Sequence, residues 1–234
     1  MDASRRRAYL QTLEIPAWRL REGAAPVFVS LAAAPAPAAE PATTADDAGW
    51  EAVRKAVAAC RGCRLCETRA NTVFGVGPAR APLMVVGEGP GADEDTQGEP
   101  FVGRAGKLLD EMLRAIGRSR QTDTFIANVV KCRPPGNREP AEDEAEACRG
   151  FLEQQLRLVR PKLVVALGRI AAQRLLATDA PLTRLRGRMH AWGPDATPLL
   201  VTYHPAYLLR SPGEKAKSWE DLKQIRKFLQ AAPP

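Results

Sequence analysis

A chain of 234 residues with a net charge of +7 is long enough for one α/β core with chain to spare. Its excess of Lys and Arg suits a polyanionic partner such as nucleic acid. No apolar run approaches the ~20 residues that span a bilayer, and the start, MDASRRRAYLQ, lacks the continuous apolar stretch of a secretory signal, so a cytoplasmic protein is expected and membrane classes are excluded.

Residues 1–23 hold a short amphipathic stretch, AYLQTLEIPAWRLR. Residues 24–49 are rich in Ala and Pro, with no side chains able to build a core, and read as a disordered linker. One folded domain is expected over 50–234. It opens with WEAVRKAVAAC, a helix with Trp50, Val53 and Val57 on one face and Asp46 and Asp47 upstream as capping candidates. PLMVVGE is a short apolar run closed by glycine, a buried strand. GKLLDEMLRAIG places Leu108, Leu109, Met112, Leu113 and Ile116 in helical register, with Gly117 as the stop.

TFIANVV is the next strand. Pro140 then sits where a helix begins, ahead of AEDEAEA, whose acidic residues suit the positive end of the dipole. KLVVALG, GRIAAQRLL, PLLVTY and SWEDLKQIRKFL read as strand, helix, strand and closing amphipathic helix. This alternation predicts a three-layer α/β/α sandwich around a central, mostly parallel four-stranded sheet. In such sheets chemistry lies beyond the carboxyl ends of the strands.

After the first strand come Gly87, Glu88, Gly89, Pro90, Gly91, Ala92, Asp93, Glu94 and Asp95. The spacing Gly87, Gly89, Ala92 matches a dinucleotide loop. Pro90 removes a backbone donor, however, and the acidic run would repel a pyrophosphate. After the second strand comes Asn128, whose flat amide carries the donors and acceptor needed to read the edge of a base; a loop-capping role is the plainer alternative. Lys131, Arg133, Arg138 and Arg210 are candidate phosphate contacts near the same strand ends, or equally solvated surface charges. After the last strand come His204 and Pro205.

Five cysteines in such a chain are not expected to form a disulfide framework. Cys60, Cys63 and Cys66 lie together, whereas Cys132 and Cys148 lie far downstream. That grouping suggests a metal or cluster joining two distant segments. Four thiolates suit either structural Zn or a [4Fe–4S] cluster, and spacing leaves both open.

CRGCRLCETR, VFGVGPARAPLMVVGEGPGADEDTQGEPFVGRAGKLLD, NVVKCRPPGNREP with Cys148, and YHPAYLLR occur in an order that resembles the iron–sulfur (family 4) uracil-DNA glycosylases over about 50–230. The resemblance implies a monofunctional hydrolase of base excision repair that flips uracil from single- or double-stranded DNA and cuts its N-glycosidic bond. It implies a [4Fe–4S] cluster on Cys60, Cys63, Cys132 and Cys148, leaving Cys66 aside. Phe101 matches the aromatic that stacks on uracil, Asn128 the amide that bonds its edge, and His204 the histidine facing O2. Glu88, Gly89 and Glu94 match the motif shaping the pocket and its water, either carboxylate being a candidate to position that water. Leu208 matches the loop that probes the duplex.

The detached N-terminal stretch, with Tyr9, Leu10, Leu13, Ile15 and Trp18, reads as a docking peptide over 5–21 for a replication or repair protein, or as a tail packing on its own domain. It is similar in pattern to the tail by which the polymerase psi subunit docks on chi. A monomer is expected. Two rivals predict different behaviour: a non-catalytic, polymerase-associated DNA-binding protein of the same fold, and a Zn-stapled nucleotide-binding oxidoreductase.

Overall fold

The computed structural model describes residues 44–231. The expected tail over 1–23 and docking peptide over 5–21 lie outside the described residues, as does most of the expected linker. The end of that linker does not: helix α1 runs Thr44–Ala59, so residues 44–49 belong to the folded domain. Asp46 and Asp47 fall inside its first turn rather than upstream of it. Val53 and Val57 are buried, and Trp50 packs beside them.

Strands β1 (Leu83–Gly87), β2 (Thr124–Asn128) and β3 (Leu163–Leu167) are buried at every position. This explains why their sequences are continuous apolar runs: a parallel strand covered on both faces has no solvent side to alternate toward. β5 (Thr197–Thr202) is buried over its last four residues. The sheet order is β2-β1-β3-β5-β4. β1 pairs in parallel with both β2 and β3, and β3 pairs in parallel with β5.

Among the described residues the sheet has five strands, not the expected four. β4 (Met189–Trp192) pairs antiparallel with β5 at one edge. Its residues alternate between exposed and half-buried, so the short sequence MHAW carries no apolar run to announce it. Short edge strands of this kind present little unpaired backbone to other chains.

Helices cover both faces. Met84, Val86, Phe125, Val164 and Val201 join one core with Val53 and Val57 of α1, with Leu152 and Leu156 of α4 (Glu142–Val159), and with Ala171 and Leu175 of α5 (Gly168–Leu176). Leu83, Val85, Ile126, Val165 and Leu200 face a second core with Leu109, Met112 and Leu113 of α3 (Arg104–Ala115) and Leu222, Ile225 and Leu229 of α8 (Lys215–Ala231). Alternate residues of each strand therefore enter opposite layers, which makes the architecture α/β/α.

Three shorter helices complete the domain: α2 (Ala92–Gln97), α6 (Leu182–Leu185) and α7 (Pro205–Arg210). The acidic run read as a loop is the first turn of α2, where carboxylates suit the helix dipole. α4 starts at Glu142, two residues after Pro140; Glu144 accepts the Ala141 N–H at 2.8 Å and so fixes its first turn. Among the described residues no helix is long and apolar enough to cross a membrane.

Candidate active site

The strand order turns back between β1 and β3, and the carboxyl ends of the parallel strands meet around that point. Backbone pairing runs past the strand ends: the Val129 and Val130 N–H groups donate to the Gly87 and Glu88 carbonyls at 2.9 and 3.2 Å. Glu88 is thereby held beside the segment that follows Asn128. A cavity of ≈ 430 Å³ opens here, and its lining includes Glu88, Gly89, Glu94, Phe101, Asn128 and His204. Its size is that of a small-molecule site. Every pocket residue expected from sequence lies on it except Leu208.

Phe101 occupies the left-handed region with φ of 56°, which is uncommon for a bulky side chain. Two glycines make room for it. A Cβ on Gly106 would lie 1.7 Å from the Phe101 carbonyl oxygen, and one on Gly87 would lie 2.6 Å from the ring and 2.5 Å from Asn128 Oδ1. Arg120, nearly buried, donates to the Pro100 and Phe101 carbonyls at 3.0 and 2.9 Å. The phenyl ring lies 5.6 Å from the His204 ring, tilted by 33°. Arg120 escapes a motif reading because it acts through backbone carbonyls about twenty residues away.

Asn128 is buried, and its Oδ1 has no hydrogen-bond partner. A buried acceptor left open costs free energy unless a ligand fills it. Its main chain is anchored from behind. Lys131 Nζ donates to the Asn128 carbonyl at 2.8 Å and to Gln155 Oε1 at 2.6 Å, and Gln155 Nε2 donates to the Phe74 carbonyl at 2.8 Å. Lys131 is therefore buried, not a phosphate contact as its charge suggested. Burial pulls its ammonium down to about 7.

His204 is the N-cap of α7, and its Nδ1 accepts the Ala206 N–H at 3.1 Å. That bond settles the tautomer: the proton of the neutral ring is on Nε2, which is a donor. Burial, with Arg210 adding to it, pulls the imidazolium down to about 4. The ring is neutral at physiological pH. A Cβ on Gly168, at the end of β3, would lie 2.9 Å from His204 Cβ, so this glycine lets the histidine seat. The other histidine, His190, bonds the Leu185 carbonyl away from the cavity.

The two acidic candidates differ sharply. Glu94 Oε2 accepts the Gly91 N–H at 3.0 Å, and its Oε1 accepts the Val102 and Gly103 N–H groups at 3.0 and 3.2 Å. Both oxygens are committed to joining two loops. Glu88 carries no such set of bonds among the described residues. Burial pushes its carboxyl up to about 7, with Glu139 adding to the rise and Arg169 opposing it.

Leu208 does not reach the cavity. It is 1 % exposed and sits in the core with Tyr203 and Leu222. The segment HPAYLLR is helical, so neighbouring residues point about 100° apart; Leu208 takes the inward face and Tyr207 the outward one. Tyr207 is 38 % exposed, lines the cavity, and stacks on Tyr203 at 5.2 Å. Arg138 and Arg210 also line the cavity, Arg138 pairing through both nitrogens with Glu144. Arg133 bonds Asn137 Oδ1 at 2.7 Å.

Cys132 and Cys148 are buried; Cys60, Cys63 and Cys66 are half-buried, and none forms a disulfide. They share one electrostatic neighbourhood: Cys63 interacts with Cys60 and Cys66, Cys132 with Cys63 and Cys60, and Cys148 with Cys132 and Cys63. Burial raises the Cys63 and Cys132 thiols and pushes Cys148 up to about 11. Arg69 donates to Cys132 Sγ at 2.9 Å and to the Cys60 carbonyl at 2.8 Å, tying the two cysteine segments together. Among the described residues no three Cys, His, Asp or Glu side chains form a group that could hold a single metal ion.

An α/β/α domain whose strand ends gather an aromatic ring, an open amide and a neutral imidazole donor has the form of a pocket for a flat polar heterocycle. The description "Uracil DNA glycosylase superfamily" matches residues 74–223. Similar proteins named type-4 uracil-DNA glycosylase occur in Archaeoglobus fulgidus, 43 % identical over 72 % of this chain and 87 % of its own. One in Thermotoga maritima is 40 % identical, covering 76 % and 94 %. One in Sulfurisphaera tokodaii is 40 % identical, covering 76 % and 84 %. The chain belongs to the type-4 uracil-DNA glycosylases of this superfamily.

Proposed function

We propose that this protein excises uracil from single- and double-stranded DNA, leaving an abasic site. The observation that carries the reading is the convergence on one cavity of Phe101, of Asn128 with its buried Oδ1 unpartnered, and of His204 with its Nε2 left as the donor. A base inside a duplex is out of reach of such a cavity, so the nucleotide is flipped into it at a cost of a few kcal/mol.

Each group then has a task. Phe101 offers a face for stacking, a contact worth ~1–3 kcal/mol per base. Asn128 Oδ1 accepts the uracil N3–H while its amide N–H donates to O4. Cytosine presents the reverse pattern and is refused. As the glycosidic bond breaks, both electrons leave with uracil and negative charge grows on O2. His204 Nε2–H is the preorganised donor to it, and a neutral donor needs no prior proton uptake.

Glu88 is the carboxylate that orients water and offsets the cationic sugar, taking the proton that water loses on adding to the sugar carbon. Glu94 is read instead as the brace between two loops, because its oxygens accept three backbone N–H groups. Tyr207 is the exposed apolar group at the cavity that fills the space left by the flipped base. Arg138 and Arg210 face the phosphates.

Cys60, Cys63, Cys132 and Cys148 are the ligands of a [4Fe–4S] cluster in this reading. The all-sulfur donor set supports it. The cationic Arg69 on Cys132 suits anionic sulfur. The cluster would supply a structural clamp, because hydrolysis transfers no electrons. The protein acts as a monomer in the cytoplasm, with residues 5–21 docking a replication or repair protein; unchanged partner capture after deletion of 1–23 would remove that last role.

The test is uracil release from a labelled single-uracil oligonucleotide, single- and double-stranded, by protein purified without air. Wild type should leave an alkali-labile site, and His204→Ala and Asn128→Ala should be much slower. Folded protein that binds DNA and releases no base would favour the non-catalytic reading instead.

A further inference from the structure

A bulky residue in the left-handed region persists only where its surroundings over-determine it, and Phe101 at φ 56° is such a residue. Gly106 leaves space under its carbonyl but applies no force. The force comes from two sides. Glu94 holds the following N–H groups, those of Val102 and Gly103. Arg120, from the turn between α3 and β2, holds the carbonyls of Pro100 and Phe101. Arg120 also pairs with Glu99 at 3.2 Å and Asp110 at 2.8 Å.

Those ion pairs are not the main use of the residue. The side chains of Glu99 and Asp110 are each 45 % exposed, and such pairs contribute little in water. The two carbonyl bonds are buried. The carboxylates orient the guanidinium, and its remaining N–H groups are aimed at the backbone of the strained residue. A planar fork with several donors can do this; a single ammonium cannot span both carbonyls and a carboxylate.

We propose that Arg120 is a positioning residue for uracil binding: it holds the Phe101 backbone in the conformation that sets the ring against Gly87 and His204. This rests on the glycosylase reading above. Arg120 touches no substrate, so its effect passes wholly through the ring. Stacking acts alike in ground and transition states, so the loss belongs in KM.

The full-length protein is compared with Arg120→Ala, Arg120→Lys, Phe101→Ala and the double variants, using a single-stranded single-uracil oligonucleotide and hydrogen exchange of the Val102 and Gly103 amides. Arg120→Ala is expected to raise KM about tenfold, as expected for most of a stacking contact, with kcat within about twofold. Arg120→Lys should fall between, and neither should add to the loss already caused by Phe101→Ala. Exchange of the two amides should quicken in both Arg120 variants. An unchanged KM overturns the proposal, as does an equal further loss in the Phe101→Ala background, which would mark a global effect. If Arg120→Ala does not fold, Arg120→Lys carries the same comparisons. If wild type releases no uracil, the glycosylase reading fails, and the exchange arm alone decides: unchanged exchange in the variants overturns the clamp.

Discussion

Replacing Glu88 by glutamine should make the protein more stable at pH 8 and no more stable at pH 4. Burial pushes this carboxyl from its ordinary 4.5 up to about 7, so the folded state binds the proton more tightly than the unfolded chain does. Folding is then undisturbed below about pH 4.5. It loses stability as pH rises from there through 7, where the folded protein must ionise a group the site disfavours. A shift of about 2.5 units corresponds to ~3 kcal/mol. Because the side chain is only half-buried, water screens part of it, and about 1–2 kcal/mol is the expected penalty above pH 8. For a domain of this size that is a rise in Tm of roughly 2–8 °C for Glu88→Gln at pH 8. Thermal melts at pH 4 and 8 read it directly. In single-turnover uracil release, wild type should gain rate as pH passes through about 7, and the variant should lack that limb. The histidine does not interfere, since His204 titrates near 4. A Tm difference equal at both pH values, or a limb near 7 surviving in Glu88→Gln, would refute the reasoning.

Three further outcomes follow from the geometry. Leu208→Ala should lower stability by ~2–5 kcal/mol in chemical denaturation, since a buried leucine leaves a cavity, whereas Tyr207→Ala should cost only the ~0.5–1.5 kcal/mol of its stacking on Tyr203 and slow release from duplex more than from single strands. Gly87→Ala should cut uracil release at least about tenfold with a folded circular dichroism spectrum, because its Cβ would press on both Asn128 and Phe101; wild-type activity in that variant would mean the pocket yields. Protein purified without air should be brown with broad visible absorption, and Cys132→Ala should lose the colour and melt earlier; a colourless wild type binding one Zn would remove the cluster.

The central strands were readable because full burial forces continuous apolar sequence, and α3 because Leu109, Met112 and Leu113 repeat on one face. β4 was not, since an edge strand with Met189 half-exposed has no pattern to detect. Residues proposed to meet a ligand through their own chemistry, Asn128 and His204 among them, were visible at the ends of strands. Glu94 was visible but not interpretable: sequence cannot tell a carboxylate with open oxygens from one occupied by Gly91, Val102 and Gly103. Arg120 was invisible because its partners lie about twenty residues away, on carbonyls any residue would offer. Leu208 was expected at the cavity because sequence does not show which face of this short helix meets the core, and that face is the one Leu208 takes.

Between Asn128 and Cys132 the chain has no slack. Within five consecutive positions it sets an open amide at the cavity, a buried lysine that holds that amide's own carbonyl, and a thiol bonded by Arg69. The spacing behaves as a ruler between the cavity and the cysteine group. Asn128→Ala should slow uracil release and leave visible absorption intact, but one glycine inserted after Val130 should abolish both together. Length is then as strictly set in this segment as the identities of Asn128 and Cys132.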